Sequence, residues 1–382
     1  MKMKAKKQYS AAIVGARGYS GLELVHLLTS PASYGSLLQS QAAGGSLVLQ
    51  ALFASKDFDL KKDILDPAVL SIPCYKEEEL LNHQFDFVFL ATPAEVSLKW
   101  APILLEKGSH VIDVSGAFRL KNNSVDSYKK WYNFEHTHPD LAVSAVYGLQ
   151  PWCAEEIKNQ VQVAKGPVLI ANPGCYATAC LMPLVPLLQN NIIDSNTVVL
   201  DGKSGTSGAG RKAEERLLFT EVDGDCLPYR VGQHQHTPEI IEAAKAFSGI
   251  QIDPFFSTSL LSTPRGLTVA LYAKIHSSFN GQSSDSVEAV IEQAFAKSFA
   301  QYPWVRWQNL NKDNNSKLLS LKSVQSTPYT HISFSLKNNK LYVFSVIDNL
   351  CKGAASQALE NAYAIVAAHL SQKSYLQQEL NQ

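Results

Sequence analysis

The sequence lacks a charge excess of either sign, with 34 Lys+Arg against 34 Asp+Glu in 382 residues. That excludes a global basic field to draw nucleic acid or an anionic membrane, although a few arginines suffice for a small anion. Long apolar runs are missing too; no stretch approaches the roughly 18 residues that cross a bilayer. Cysteine is sparse: Cys74, Cys153, Cys175, Cys180, Cys226 and Cys351. None forms a C-x-x-C pair or completes a zinc spacing with histidine, so no metal site is expected. Scattered cysteines in a chain this long read as reduced thiols of a cytoplasmic protein. Residues 1–10 carry four lysines, as a leader might. The apolar run behind them, Ala11 to Gly15, is too short for a signal core, and no leader is expected.

What is there is organised as two domains, the number this length favours. Ala11–Gly15 is a short buried-strand pattern that runs into helical spacing from Tyr19 to Leu28. Leu47–Ala54, Asp86–Ala91 and His110–Val114 are further strand candidates, with a helix from Glu95 to Lys107 between the last two. Alternating strands and helices predict a parallel sheet with crossover helices. Residues 30–46, rich in Ser, Gly, Gln and Ala, read as a long loop or insertion. After about Ala171 the texture changes. Cys175–Asn190 is an apolar helix interrupted by Pro183 and Pro186, and Thr197–Asp201 is a strand emptying into a glycine-rich loop. Leu267–Ile275, His331–Leu336 and Leu341–Ile347 predict an α+β domain whose sheet is covered on one face. Residues 277–286 read as a loop before a Val287–Phe299 helix, and Gly353–Leu370 closes the chain as a helix.

Three places could carry chemistry. The first is Gly15-Ala-Arg-Gly18-Tyr19-Ser20-Gly21, between the first strand and the first helix. Its glycines allow a tight turn, and the helix start offers N–H groups and positive dipole to a pyrophosphate; the plainer alternative is a turn that binds nothing. The second strand ends at Ser55-Lys56, a hydroxyl and a cation where an NAD site would place an acid. That favours NADP(H), unless Lys56 is merely solvated. Thr92 ends the third strand, near where the ribose or nicotinamide belongs.

The second is Asn172-Pro-Gly-Cys175. A cysteine in the first turn of a helix gains thiolate character from the dipole and unpaired N–H groups, though most lone cysteines are core. Cys180, five residues on, reads as core. The third is His234-Gln-His236-Thr-Pro-Glu239, with Thr237 as the expected N-cap and Pro238 at the first helical position. Paired histidines there suit acid–base work. Lys203-Ser204-Gly205 opens a further glycine-rich loop that could cradle a phosphate or the nicotinamide. Arg119, Arg211 and Arg265 are candidate anion ligands, each as readily a plain surface charge.

These pieces run in one order that resembles the N-acetyl-γ-glutamyl-phosphate reductases, relatives of aspartate-semialdehyde dehydrogenase. The resemblance is carried by residues 15–21, Asp113-Val-Ser-Gly-Ala-Phe-Arg119, Trp131–His136, Ala145–Leu149, Asn172–Tyr176, Lys203–Arg211, His234–Glu239, Pro264-Arg-Gly266 and Val346–Ala355. It implies a Rossmann-type NADP-binding domain, residues 1–172 plus 349–382. A glyceraldehyde-3-phosphate-dehydrogenase-like catalytic and oligomerisation domain would occupy residues 173–348. It also implies Cys175 as nucleophile, one of the paired histidines, His236 in preference to His234, as the acid–base group, and Asn349 beside the nicotinamide. Arg119, Asn172, His234, Arg211 and Arg265 would be on the substrate side, in a homodimer or homotetramer. Arg17 and Ala117 depart from the family's usual small residue and acid. Two other readings stay open: the same chemistry on an aspartyl or aminoadipyl phosphate, and a non-catalytic nucleotide sensor, against which the intact Cys175 and histidines argue.

Overall fold

The computed structural model describes residues 7–30, 34–41, 45–55, 71–121, 124–164, 166–313 and 315–379. Contacts divide the chain into two units, one of residues 1–125, 134–173 and 354–382, the other of residues 126–133 and 174–353. Residues 126–133 thus leave the first unit, and the return to it falls at 354 rather than at the expected 349.

The first unit is built on a seven-stranded sheet: β1 (Lys7–Val14), β2 (Gly45–Ala54), β3 (Cys74–Lys76), β4 (Phe87–Leu90), β5 (His110–Asp113), β6 (Val146–Tyr147) and β7 (Leu169–Ala171), in the order β3-β2-β1-β4-β5-β7-β6. All its pairings are parallel. Ala11–Val14 and Phe87–Leu90 are wholly buried, as strands covered on both faces must be. Helices Tyr19–Thr29 and Ala94–Glu106 are crossovers. The insertion expected as loop holds a helix, Tyr34–Gln41, whose Leu38 is buried; the segment uses one apolar contact where its composition promised none. The last helix, Ser356–Glu379, lies on this unit. Its Asn361 and Gln357 amides donate to the Gly148 carbonyl at 2.8 and 3.0 Å, and the Nε2 atoms of His369 and His110 are 2.9 Å apart. It begins at Ser356, not Gly353, because a wider turn, Cys351–Ala355, precedes it.

The second unit has its own sheet: β8 (Val199–Gly205), β9 (Cys226–Pro228), β10 (Phe255–Leu261), β11 (Leu267–Lys274), β12 (Val305–Asn309), β13 (Thr330–Lys337) and β14 (Lys340–Ile347), ordered β12-β13-β14-β11-β8-β10-β9. β8 runs to Gly205, farther than expected, because Lys203, Ser204 and Gly205 pair with Ser259, Leu260 and Leu261 of β10. Helix Cys175–Gln189 packs on β11 and β14 and against helices His236–Ser248 and Ser284–Phe299. It is not interrupted at its prolines. Every residue from Tyr176 to Leu188 is buried, and that packing outweighs the two N–H groups that Pro183 and Pro186 remove.

Candidate functional site

Cys175 is the first residue of its helix. Gly174 ahead of it is extended (φ −71°, ψ 155°), which ends the approach from β7 and lets the helix begin at the thiol. The N–H groups of a first turn have no partner within the helix, so they face whatever bonds to the sulfur, and the dipole favours negative charge there. Cys175 is half-buried, whereas Cys180 is fully buried and its thiol is pushed well above the ordinary range, first by burial. None of the six cysteines is bridged.

The histidine segment folds against this helix. His236, rather than Pro238, opens helix His236–Ser248, and Thr237 is not its cap. The His236 N–H donates to the ring Nδ1 of His234 at 3.2 Å, and the Thr237 N–H donates to the His234 carbonyl at 2.9 Å. Accepting at Nδ1 fixes the His234 ring as a neutral Nε2–H tautomer. Burial, then the neighbouring His236 and Arg230, hold its pKa down at about 2. Three residues into the helix, Glu239 is fully buried. Its Oε1 accepts the Gly174 N–H at 2.8 Å, and its Oε2 lies 3.9 Å from the Nε2 of His236. One carboxylate thus faces both the histidine and the main chain leading into the thiol.

Cys175, His234 and His236, but not Glu239, open into a cleft of about 200 Å³, lined also by Tyr176, Ser204, Gly205, Gly208, Arg216, Tyr229, Arg230 and Gln235. The Tyr229 hydroxyl donates to that of Tyr176 at 3.4 Å, which donates to the Ser259 carbonyl at 3.2 Å. Burial raises both phenols above their ordinary range. Asn349 is not in the lining; it accepts the Gly266 N–H at 2.8 Å and donates to Ser207 Oγ at 2.9 Å, next to Gly208 of the cleft. Two cations reach the lining. Arg216 is paired with Glu214 at 2.8 Å, and Arg230 donates to Gln235 at 2.5 Å from a left-handed backbone (φ +47°).

The first unit carries the dinucleotide-type turn where β1 and β4 lie side by side and the strand order reverses. Gly15 has φ +85°, and a Cβ there would sit 2.3 Å from the Ala91 carbonyl oxygen. Only glycine lets the turn press onto the Ala91–Thr92 loop. Gly18 leads into the helix at Tyr19, while a Cβ on Gly21 would strike the Gly15 oxygen at 2.4 Å. Thr92 Oγ1 lies 2.8 Å from Ser97 Oγ. This is the crevice at a switch point, with helix N–H groups at its rim, where open α/β sheets bind nucleotides. The turn fits a pyrophosphate. Ser55 is exposed just beyond β2; Lys56 lies outside the described residues.

Several expected residues sit elsewhere. Arg119 is buried in the first unit and donates to the Asn172 and Val114 carbonyls, both at 2.8 Å. Asn172 is buried there as well, its amide on the Ala354 carbonyl (3.2 Å) and its oxygen on Asn361 (3.1 Å). Arg265 is committed to Asp348, and Arg211 is exposed and not among the cleft's lining residues. Sequence reasoning missed Glu239, Tyr229, Arg216 and Arg230. Glu239 alone had a signal, since it stands three residues after His236 and so shares its helix face. Among the described residues no group of three His, Cys, Asp or Glu could hold a metal ion, and no helix is long and apolar enough to cross a membrane.

The chain matches two family models, "Semialdehyde dehydrogenase, NAD binding domain" over residues 10–160 and "Semialdehyde dehydrogenase, dimerisation domain" over residues 175–349. It is 37% identical over 354 residues to an N-acetyl-gamma-glutamyl-phosphate reductase of Geobacillus stearothermophilus, covering 92% of this chain and 94% of that one. A Brevibacillus brevis protein of the same name is 36% identical, with 91% and 93% covered. Among solved structures, aspartate semialdehyde dehydrogenase II from Vibrio cholerae superposes with a TM-score of 0.64 at 17% identity, covering 94% of this chain and 99% of that one. A Candida albicans aspartate semialdehyde dehydrogenase with NADP gives 0.63 at 14% identity, over 95% and 99% of the two chains. At these identities the superpositions speak to fold alone.

Proposed function

The chain belongs to the N-acetyl-γ-glutamyl-phosphate reductase family of the semialdehyde dehydrogenases, and from that premise we propose that it reduces N-acetyl-L-glutamyl 5-phosphate. The products are N-acetyl-L-glutamate 5-semialdehyde and phosphate, in a step of arginine biosynthesis that runs through a thioester on Cys175. The observation that carries the chemistry is a helix-start thiol and His236 lining one cleft, with the buried Glu239 facing the His236 ring and bonded to the Gly174 N–H ahead of the thiol.

The Cys175 thiolate attacks the acyl carbon, the carbon–oxygen bond to phosphate breaks, and phosphate leaves with the electron pair. The first-turn N–H groups of the Cys175 helix stabilise the oxyanion of each tetrahedral stage. NADPH would be held at the Gly15–Gly21 turn, with Ser55 and Thr92 on its ribose side, and would supply the hydride that reduces the thioester carbon; Lys56 is the cation expected for its 2′-phosphate. Collapse of the resulting thiohemiacetal oxyanion breaks the carbon–sulfur bond, releases the aldehyde and returns the thiolate. One proton is consumed overall, and His236 is placed to move it, with Glu239 facing its ring. His234, neutral and bonded to the His236 N–H, holds that partner in place. The substrate's carboxylate is met by Arg216 and Arg230, the arginines that line the cleft, while Ser204 and Gly205 form part of its wall.

The enzyme works as a homo-oligomer in the cytoplasm. Supporting the oligomer, Phe255, Val199, Tyr272, Tyr342 and Ser335 stand directly across β10, β8, β11, β14 and β13 in one row. Phe255 is exposed and Tyr342 partly so. An exposed sheet face carrying aromatic side chains fits a two-fold partner. Supporting the compartment, all six cysteines are unbridged.

The reverse reaction tests the assignment: phosphate-dependent reduction of NADP by each of three semialdehydes, N-acetylglutamyl, aspartyl and aminoadipyl. The N-acetylglutamyl compound should win in kcat/KM. Preference for either of the others would move the chain to a different substrate on the same machinery.

A further inference from the structure

We propose that Arg265 and Asp348 are positioning residues for the reacting thiol: their ion pair fixes the turn carrying Gly353, and Gly353 is the wall against which Cys175 is seated. The inference rests on the reading of Cys175 as the nucleophile.

Asp348, at the end of β14, is fully buried. Its carboxylate gathers five donors from three segments: the N–H groups of Leu350 (2.8 Å) and Cys351 (2.9 Å), that of Ser326 (2.7 Å), and Arg265 through Nε (2.9 Å) and Nη2 (3.1 Å). Its own carbonyl accepts the Gly353 N–H at 2.9 Å. One residue therefore grips the start of the Cys351–Ala355 turn by its side chain and Gly353 by its backbone. The two-pronged guanidinium sets the carboxylate plane, and Arg265 follows directly on Pro264, whose carbonyl accepts the Ser207 N–H at 3.3 Å beside the cleft.

The far side of the turn meets the thiol's root. A Cβ built on Gly353 would lie 2.6 Å from the Cβ of Cys175 and 3.1 Å from its Cα. Any side chain there pushes the nucleophile out of place, and any slackening of the turn removes its backing. A buried carboxylate stripped of its counter-ion is an uncompensated charge that is costly to hold, and the turn that relaxes to relieve it loosens the grip on Leu350 and Cys351. Rates of positioned attack are sensitive to such shifts; roughly 1 Å can cost about a hundredfold.

The test compares Arg265→Lys, Arg265→Ala and Gly353→Ala with wild type. The readouts are kcat, KM for the acyl phosphate, and the rate of iodoacetamide modification of Cys175, followed on its own peptide by mass spectrometry. The expected result in all three is a kcat lowered by about tenfold to a hundredfold, a near-normal KM, and a parallel change in Cys175 modification with no substrate present. Guanidinium ion should restore part of the Arg265→Ala rate. A raised KM for Arg265→Lys with normal kcat and normal modification would make Arg265 a substrate ligand and overturn the proposal, as would a Gly353→Ala enzyme normal in rate and modification. If Arg265→Ala does not fold, Arg265→Lys and Gly353→Ala decide. Turnover by Cys175→Ser would instead sink the reading of Cys175, a result separable from these.

Discussion

The Glu239 carboxylate accepts the Gly174 N–H at 2.8 Å, so an acid one turn into the histidine's helix grips the main chain immediately ahead of Cys175. The same carboxylate lies 3.9 Å from His236. Glu239→Gln keeps an acceptor for Gly174 and removes the charge facing the imidazole. Its kcat should fall by about tenfold to a hundredfold, within the range of an acid–base contribution, with little loss of stability. Glu239→Ala should lose activity and also about 1–3 kcal/mol of stability, because it strands a buried N–H. Equal Tm values for the two variants would refute the bond to Gly174 as a structural tie.

Cys175→Ser should abolish turnover and leave NADPH binding intact, because a hydroxyl has no accessible anionic state near neutral pH. Fluorescence titration of NADPH against the variant, run beside the assay, separates the two effects.

His236→Asn should lower kcat by roughly 10²–10⁴-fold. His234→Asn should cost less. The His234 ring is held neutral, its pKa near 2, and what it supplies is an acceptor for the His236 N–H, which an asparagine oxygen can replace. A dead His234→Asn beside an active His236→Asn would exchange the two roles.

Ser55-Lys56 should give NADP the larger kcat/KM over NAD, and Lys56→Asp should move the ratio toward NAD through repulsion of the 2′-phosphate. Equal values for the two cofactors in the wild type would refute the 2′-phosphate reading.

Acid should loosen the seat of the last helix. Burial, helped by His369 and opposed by Asp86, pulls His110 down to about 4. Between the unfolded value near 6.5 and that folded value, the unfolded chain takes up a proton that the folded chain refuses. Stability is therefore complete above about pH 6.5 and falls as pH drops toward 4. His331 is depressed to about 4 by burial and then by Arg306, and acts in the same direction. In His110→Gln the Tm should decline less between pH 6.5 and 4 than in the wild type. A parallel decline would remove His110 from the cause.

Most of the fold was legible because its signals are local. The Ala11–Val14 run, the glycine turn and the Tyr19 helix follow one another within twenty residues, and strand-turn-helix needs no distant partner. Cys175 was legible for the same reason. The helix at Tyr34–Gln41 was not, because its residues favour turns and only tertiary contact decides. Nor was the unbroken course of Cys175–Gln189, where burial overrules two prolines. Arg265 read as a candidate anion ligand because its partner, Asp348, lies 83 residues away. Ionic commitments at that separation leave no trace in spacing. Arg216 and Arg230 have no periodic or motif context at all, and only the folded cleft brings them together.

All the residues that line the cleft with Cys175 come from the second unit, while the nucleotide turn belongs wholly to the first. The acyl transfer and the redox step therefore draw on separate parts of the chain, and the first can run without the second. Mixed with its acyl phosphate and no nicotinamide, the enzyme should release a rapid burst of inorganic phosphate, one equivalent per Cys175. It should then stall as the thioester, a stable acyl-enzyme whose added mass on the Cys175 peptide records which acid the cleft accepts.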